Sequence, residues 1–355
     1  MKYIGESIRE SFLENFKRNH RFEGLDCPSY EGAYVLPYIR RFNNYSGVVT
    51  SEGFFVEHSA VHEGLENGRV GMDPEVEEMD CEAIFLGSMM SVYGHCITDN
   101  LKKIWYLNTP EAKSLIDAGA VVVYVSAWDD YDLPDYAMRI LELAGVDITC
   151  LKRISVPMRF KRVHVPCNSM RLLDGTRQWS PEFRVVVEKM KSNANFKGDF
   201  YDRIYFTRTA LNDRKDFGEK RVEKLFESAG YKVLSPEKFS VDAQILLMSN
   251  CSHVVCTDGS VAHNALFCNS ETKVTILLKA DYVNGYQMMI NDMVGYDLEY
   301  VDANHTIRHR KRPWAGPFYM SPTSHLRAYL NMRKCPDLYW FRLDWYKYLY
   351  YRFLR

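Results

Sequence analysis

The sequence predicts an α/β protein in two halves, with β-hairpins near its N-terminus and a helical tail at its C-terminus. Three observations carry this reading. At 355 residues the chain is long for one domain, and two of ordinary size are the natural division. Ala120 to Val125 is a buried-strand run, Tyr136 to Ala144 a helix closed by Gly145, and Val146 to Thr149 another strand, which makes a β-α-β unit. From Asp202 to Leu278 strand-like and helix-like runs alternate as βαβαβαβ, the pattern of a mostly parallel, doubly wound sheet.

Composition narrows the class. Hydrophobic residues at 46% and charged residues at 26% exclude wholesale disorder. The net charge of −1 hides an asymmetry: Arg308 to Arg355 carries +9, leaving −10 for everything before it. Confinement of the basic residues to one end speaks against nucleic acid as a partner. Nine cysteines, an odd number without a C-x-x-C pair, point to free thiols in a reducing, cytoplasmic setting. Met1 to Arg21 has no apolar core of a secretory signal, and no window approaches the roughly 18 to 20 apolar residues of a membrane span.

Residues 1–20 read as one amphipathic helix, with Ile4, Ile8, Phe12 and Phe16 on one face. From Ala33 to Val61 short alternating runs broken by Asn43-Asn44 and Ser51-Glu52-Gly53 read as hairpins. Glu57-His58 and His62-Glu63 within them could suggest a metal site, but residues four apart on a strand stand about 13 Å apart, too far for one ion. A helix from His95 to Leu107 places Ile97, Leu101, Ile104 and Trp105 on one arc and His95, Asp99 and Lys102 on the other. His95 and Asp99, at i and i+4, are either a solvated polar face or a proton-transfer pair. Asp130 and Asp132 form an Asp-x-Asp after a strand, the pattern that holds Mn²⁺ or Mg²⁺ against a nucleotide diphosphate, or else a cap and turn.

The domain boundary is placed in the crossing segment that follows Phe160 to Pro166, dividing 1–175 from 196–305, with 306–355 as the tail. In the second half Asp202 to Arg208 is a strand delivering Arg208 at its C-terminal end, followed by Arg214 in a polar loop. The strand ending at Cys256 leads into Asp258-Gly259-Ser260 and a helix-like run through His263 and Asn264. Ligands of doubly wound sheets sit beyond the strand C-termini, so Arg208, Arg214 and the Gly259 turn describe a diphosphate site there.

Tyr93-Gly94-His95-x-x-x-Asp99-Asn100-Leu101, Leu141-x-x-Ala144-Gly145, Arg203-x-Tyr205-x-x-Arg208 with Arg214 and Glu219, Gly230-Tyr231, and Asp258-Gly259-Ser260-x-x-x-Asn264-x-x-Phe267 together resemble glycosyltransferase family 61. The resemblance covers roughly Ala33 to Leu278. Where the family's loop reads His-Gly-Ala-Gly-Leu-Thr-Asn, this chain has Asp258, Val261 and His263 in place of the His, the second Gly and the Thr; Gly218-Glu219 stands for Asn-Glu. The resemblance implies a GT-B-like fold, two Rossmann-like domains facing a cleft, and inverting, metal-independent transfer from a nucleotide sugar to a saccharide or lipid-linked glycan in surface or capsular polysaccharide synthesis. It implies no cofactor and no metal. The N-terminal domain would hold the acceptor side, with Asp99 favoured as base and His95 placing the acceptor. Arg208, Arg214, Glu219, Asp258, Gly259, Ser260, His263 and Asn264 would bind the donor.

The tail packs aromatic residues from Tyr339 to Phe353 among arginines and lysines. Two readings stand: contact with the inner face of the cell membrane through 336–355, or a helix docked on the first domain. Two rivals to the main reading are a metal-dependent GT-A-type enzyme using Asp130 and Asp132, and a non-catalytic sugar-nucleotide-binding subunit of a polysaccharide-synthesis complex.

Overall fold

A computed structural model describes residues 1–6, 8, 19–38, 46–60, 68–70, 76–127, 131–173, 176–211, 216–307, 316–333 and 335–354. The chain divides into two compact units, one of residues 19–194 and one of residues 1–18 with 195–355. The protein is mixed α/β.

The first residues correct the sequence reading. They form β1 (Lys2–Ile4), which pairs in parallel with a strand near the other end of the chain, so they belong to the C-terminal unit and not to the N-terminal half. Gly5 permits this: a Cβ there would lie 2.3 Å from the Asp302 carboxyl group, which receives the Tyr3 hydroxyl at 2.9 Å. Asn19 and His20, also expected in the helix, belong to β2 (Asn19–Arg21); Phe12 and Phe16 lie outside the described residues.

In the unit of residues 19–194 the main sheet comprises β3 (Ser29–Glu31), β4 (Tyr34–Leu36), β5 (Gly47–Val49), β6 (Glu77–Met89), β7 (Val121–Ser126), β8 (Leu151–Arg153) and β9 (Met158–His164). Its order is β5-β4-β9-β6-β7-β8, with β3 also on β9. β6 is parallel to both β7 and β9, while β3 and β4 are antiparallel to β9, so the sheet is mixed. The expected β4–β5 hairpin is present. β6 is central because Ala83 to Met89 is buried throughout, the continuous apolar run of a strand covered on both faces. Each such Ile or Phe contributes about 1.5–3 kcal/mol by leaving water.

Helices α1 (Tyr93–Cys96), α2 (Pro110–Asp117) and α3 (Asp135–Leu143) follow the strands. The Thr109 hydroxyl accepts from Ala112 N, and Pro110 opens α2 at the position where a missing N–H costs nothing. The strand expected at Val146 to Thr149 is a turn, and pairing with β7 begins only at Leu151. β11 (Thr176–Trp179) lies between β10 (Met170–Leu173) and β2 and pairs with both, and α4 (Pro181–Asn193) closes the unit.

The other unit is an open sheet of six strands, all parallel, in the order β1-β17-β16-β15-β12-β14. Its remaining strands are β12 (Arg203–Phe206), β14 (Lys232–Leu234), β15 (His253–Thr257), β16 (Lys273–Leu278) and β17 (Asp297–Asp302), and β13 (Asp216–Phe217) pairs separately with β18 (Phe318–Tyr319). Helices α5 (Glu219–Ser228), α6 (Val241–Asn250), α7 (Ser260–His263), α8 (Gly285–Val294) and α9 (Ser324–Tyr329) connect or flank these strands, and α10 (Leu343–Phe353) ends the chain. Gly230, at φ +84°, stops α5. Tyr205, Val255, Leu277 and Val301 from four adjacent strands form one buried layer with Phe226 of α5.

Candidate functional site

In the N-terminal unit the chemistry follows the C-terminal end of β6. The single helix expected from His95 to Leu107 is instead α1 followed by 3₁₀ turns at Asp99–Leu101 and Ile104–Asn108. Side chains that compete for the backbone break it. Asn100 accepts from Met90 N and donates to Met90 O, both at 2.9 Å, pinning the segment to the end of β6. Thr98 donates to Gly94 O at 2.8 Å.

The break preserves the polar grouping. His95 Nδ1 lies 2.7 Å from Asp99 Oδ2, and Lys102 Nζ lies 2.5 Å from Asp99 Oδ1. The Asp99 and Lys102 side chains are 3% and 6% exposed, against 33% for His95. Burial alone would raise the Asp99 carboxyl, but Lys102 and the His95 hydrogen bond outweigh it and hold the group well below the usual carboxylate range. Asp99 is thus a sequestered anion with both oxygens engaged. An acid held so firmly ionised is a weak proton acceptor. Lys102, expected on a solvated face, is its buried counter-ion.

In the C-terminal unit the strand ends gather a second group. Arg208, just beyond β12, donates from Nε to Asp216 Oδ2 at 2.7 Å, and Lys279, just beyond β16, reaches Asp216 Oδ1 at 3.3 Å. All three side chains are largely buried. Burial pushes the Asp216 carboxyl up, but Lys279 and Arg208 outweigh it and lower its pKa. The Lys279 ammonium also lies 4.7 Å from the centre of the Phe318 ring.

Gly259 adjoins the same cation: a Cβ built on it would stand 3.6 Å from Lys279 Nζ. At φ +126° its backbone is strained for any residue with a side chain. The helix expected after it is one α turn, α7, passing into a 3₁₀ turn at Asn264–Phe267, so little helix dipole is available and the positive charge comes from side chains.

The other predicted residues separate by environment. Glu219, the first residue of α5, is buried; its Oε1 accepts from the Tyr205 hydroxyl at 2.9 Å and from Arg208 N at 3.1 Å. Burial, then Asp216, raises its pKa to about 7. Burial likewise lifts Asp258 to about 6, against the pull of Lys279. Glu219 Oε2, Asp258 Oδ1 and Thr257 Oγ1 are sealed from solvent without a hydrogen-bond partner among the described residues. Ser260 is half-buried. His263 and Asn264 face the interior of the unit instead: His263 Nδ1 meets Gln287 of α8 at 2.9 Å, and Asn264 donates to Gln244 of α6 at 3.0 Å. These contacts tie the turn to α8 and α6.

Arg214, Asp130, His62 and Glu63 lie outside the described residues. Asp132 is exposed and paired with Arg153 at 3.2 Å. His58 sits in a 3₁₀ turn, not on a strand, with Nε2 3.2 Å from Val165 O, and burial lowers its pKa to about 4. Among the described residues no three His, Cys, Asp or Glu side chains gather as metal ligands. Sequence reasoning missed Asp216 and Lys279. Lys279 was open to discovery, since it stands directly beyond a parallel strand next to the one bearing the Gly259 turn.

A parallel α/β unit that collects an arginine, a lysine and a glycine turn at its strand ends has the features of a phosphate-ester-binding unit. The family comparison names the particular kind. The family model described as Glycosyltransferase 61 matches residues 93–275, just over half of the chain, and the protein belongs to that family of glycosyltransferases. No curated protein matched the chain. The match takes in the His95–Asp99 pair, Arg208 and the Gly259 turn. Gly218, where the family has Asn, has a steric reason: a Cβ there would lie 2.1 Å from the Met320 carbonyl oxygen.

Proposed function

We propose that this glycosyltransferase is a metal-independent, inverting enzyme of the GT-B type, moving a sugar from a nucleotide-sugar donor to a saccharide acceptor, free or lipid-linked, of a surface polysaccharide. The C-terminal unit binds the donor and the N-terminal unit activates the acceptor. The observation that carries this reading is the convergence of Arg208 and Lys279 on one carboxylate beside Gly259.

With Glu219 and Asp258 protonated, the two cations and Asp216 leave a positive excess at that spot. A diphosphate arriving there gains charge-assisted hydrogen bonds, which strengthen as negative charge builds on the leaving phosphate. Asp216 holds both cations in place between turnovers. Asp258, with its raised pKa, is protonated in part near neutrality and can donate to a phosphate oxygen, as the family's histidine at that position would.

We infer that His95, rather than Asp99, is the base, a reading supported by the firm ionisation of Asp99. With Nδ1–H donated to Asp99, His95 Nε2 carries the lone pair that takes the acceptor hydroxyl proton, and Asp99 fixes the tautomer and stabilises the imidazolium. Lys102 keeps Asp99 ionised. The test is turnover of a panel of nucleotide sugars in EDTA, with the anomeric configuration of the product read by NMR. Turnover with inversion is the expected result. Loss of turnover in EDTA, restored by Mn²⁺, would overturn the metal-free reading and favour the Asp130/Asp132 alternative; absence of turnover with intact nucleotide binding would favour a non-catalytic subunit.

A further inference from the structure

The C-terminal segment has two unlike faces. One is fastened to the C-terminal unit. Tyr348 is fully buried and its hydroxyl accepts from Ile307 N at 2.7 Å. Arg352 donates to the carbonyls of Pro317 and Ile307, and Tyr351 stacks on Phe217 with ring centroids 5.8 Å apart. The other face exposes Phe341 (75%), Leu343 (72%), Tyr346 (58%), Phe353 (61%) and Leu354 (77%). Ordinary surfaces scatter such residues singly; with Tyr350 (52%), six within fourteen positions form a patch.

The charges sort between the faces as well. Both acids are spent on the protein: Asp344 accepts from the Tyr319 hydroxyl at 3.0 Å, and Asp337 pairs with His305 at 3.0 Å. Arg342 and Lys347 are exposed among the apolar side chains. At the border of the two faces opens a cavity of about 660 Å³, lined by Leu343, Tyr346, Lys347 and Tyr350 from the exposed side and by Phe217 and Tyr351 from the fastened one. No helix among the described residues is long and apolar enough to cross a membrane.

We infer that this face docks on an anionic lipid surface. The phenylalanines and leucines enter the boundary of the acyl chains, the tyrosine rings lie at headgroup depth, and Arg342 and Lys347 meet lipid phosphates. A second copy is the poorer occupant, because an isologous contact would set the same uncompensated cations against each other.

The experiment is flotation of the full-length protein with phosphatidylcholine vesicles, with or without phosphatidylglycerol. Recovery with the anionic vesicles is expected, falling at least about tenfold for Leu343→Ser/Phe353→Ser/Leu354→Ser, for Arg342→Gln/Lys347→Gln, and at high salt. The substituted side chains are exposed, so thermal melting should be unchanged. If a variant fails to fold, the lipid and salt dependence of the unaltered protein decides alone. The inference is overturned if the protein ignores anionic vesicles, if the folded variants float equally well, or if light scattering shows that the patch closes a dimer that does not bind vesicles.

Discussion

Replacing His95 by alanine removes the group assigned to take the acceptor's proton while leaving the Asp99–Lys102 ion pair intact. A positioned general base contributes about 10²–10⁴ in rate, or about 3–5 kcal/mol of barrier. Because a third of the His95 side chain is exposed, its loss should cost little stability. His95→Ala should therefore lower kcat by at least about a hundredfold with an unchanged melting temperature, and added imidazole should restore part of the rate. Asp99→Asn behaves differently. It removes the charge that orients His95 and also strands buried Lys102, a loss of about 3–5 kcal/mol in stability on top of the lost turnover. Lys102→Met in the same chain should recover much of that stability and none of the rate. Initial rates with a saturating donor, paired with thermal melts, read both effects. If His95→Ala kept kcat within about threefold of the parent, the base would not be His95 and the assignment would fail.

Two further predictions concern the donor group. Asp216→Asn leaves Arg208 and Lys279 together without their anion, so the unliganded protein should lose about 3–5 kcal/mol; a nucleoside diphosphate should restore more of the melting temperature than it adds to the parent, and equal shifts would refute the reading. The folded pKa of Asp216 lies below its ordinary value of 3.8, so its stabilisation is complete above that value and drains away as pH falls through the lower folded one; the variant should show a flatter acid limb in denaturant titrations. Asp258 and Glu219, raised to about 6 and about 7, carry the opposite sign: they gain protons as pH falls from about 8 to about 6, which removes negative charge beside the diphosphate. Affinity for a nucleotide sugar, whose diphosphate diester does not titrate in that window, should rise on acidification and rise less in Asp258→Asn; a flat profile by calorimetry would count against it.

The parallel sheet was legible because its strands are short apolar runs closed by glycines and polar turns. β12 lies inside the expected Asp202 to Arg208 run, and β15 ends one residue past the expected Cys256. The His95–Asp99 pair was legible for a weaker reason: a turn of α-helix followed by a 3₁₀ turn keeps residues four apart adjacent, so the pairing survived although the long helix did not form. What failed depended on distant contacts. β1 exists only because β17, at the far end of the chain, offers it an edge, and a period-four pattern gave no sign of that. Lys102 looked solvated because its buried counter-ion is a matter of tertiary packing. Lys279 enters the site through adjacency of strands.

In the proposed mechanism the donor's diphosphate rests on Arg208 and Lys279. Calorimetric titration of the nucleoside diphosphate of the preferred donor, in EDTA, tests it most directly. Each charge-assisted contact is worth about 1.5–3 kcal/mol, so Lys279→Met should weaken binding about 10- to 150-fold and Arg208→Ala should do likewise, while His95→Ala binds as the parent does. Unchanged affinity in both Lys279→Met and Arg208→Ala would contradict the account.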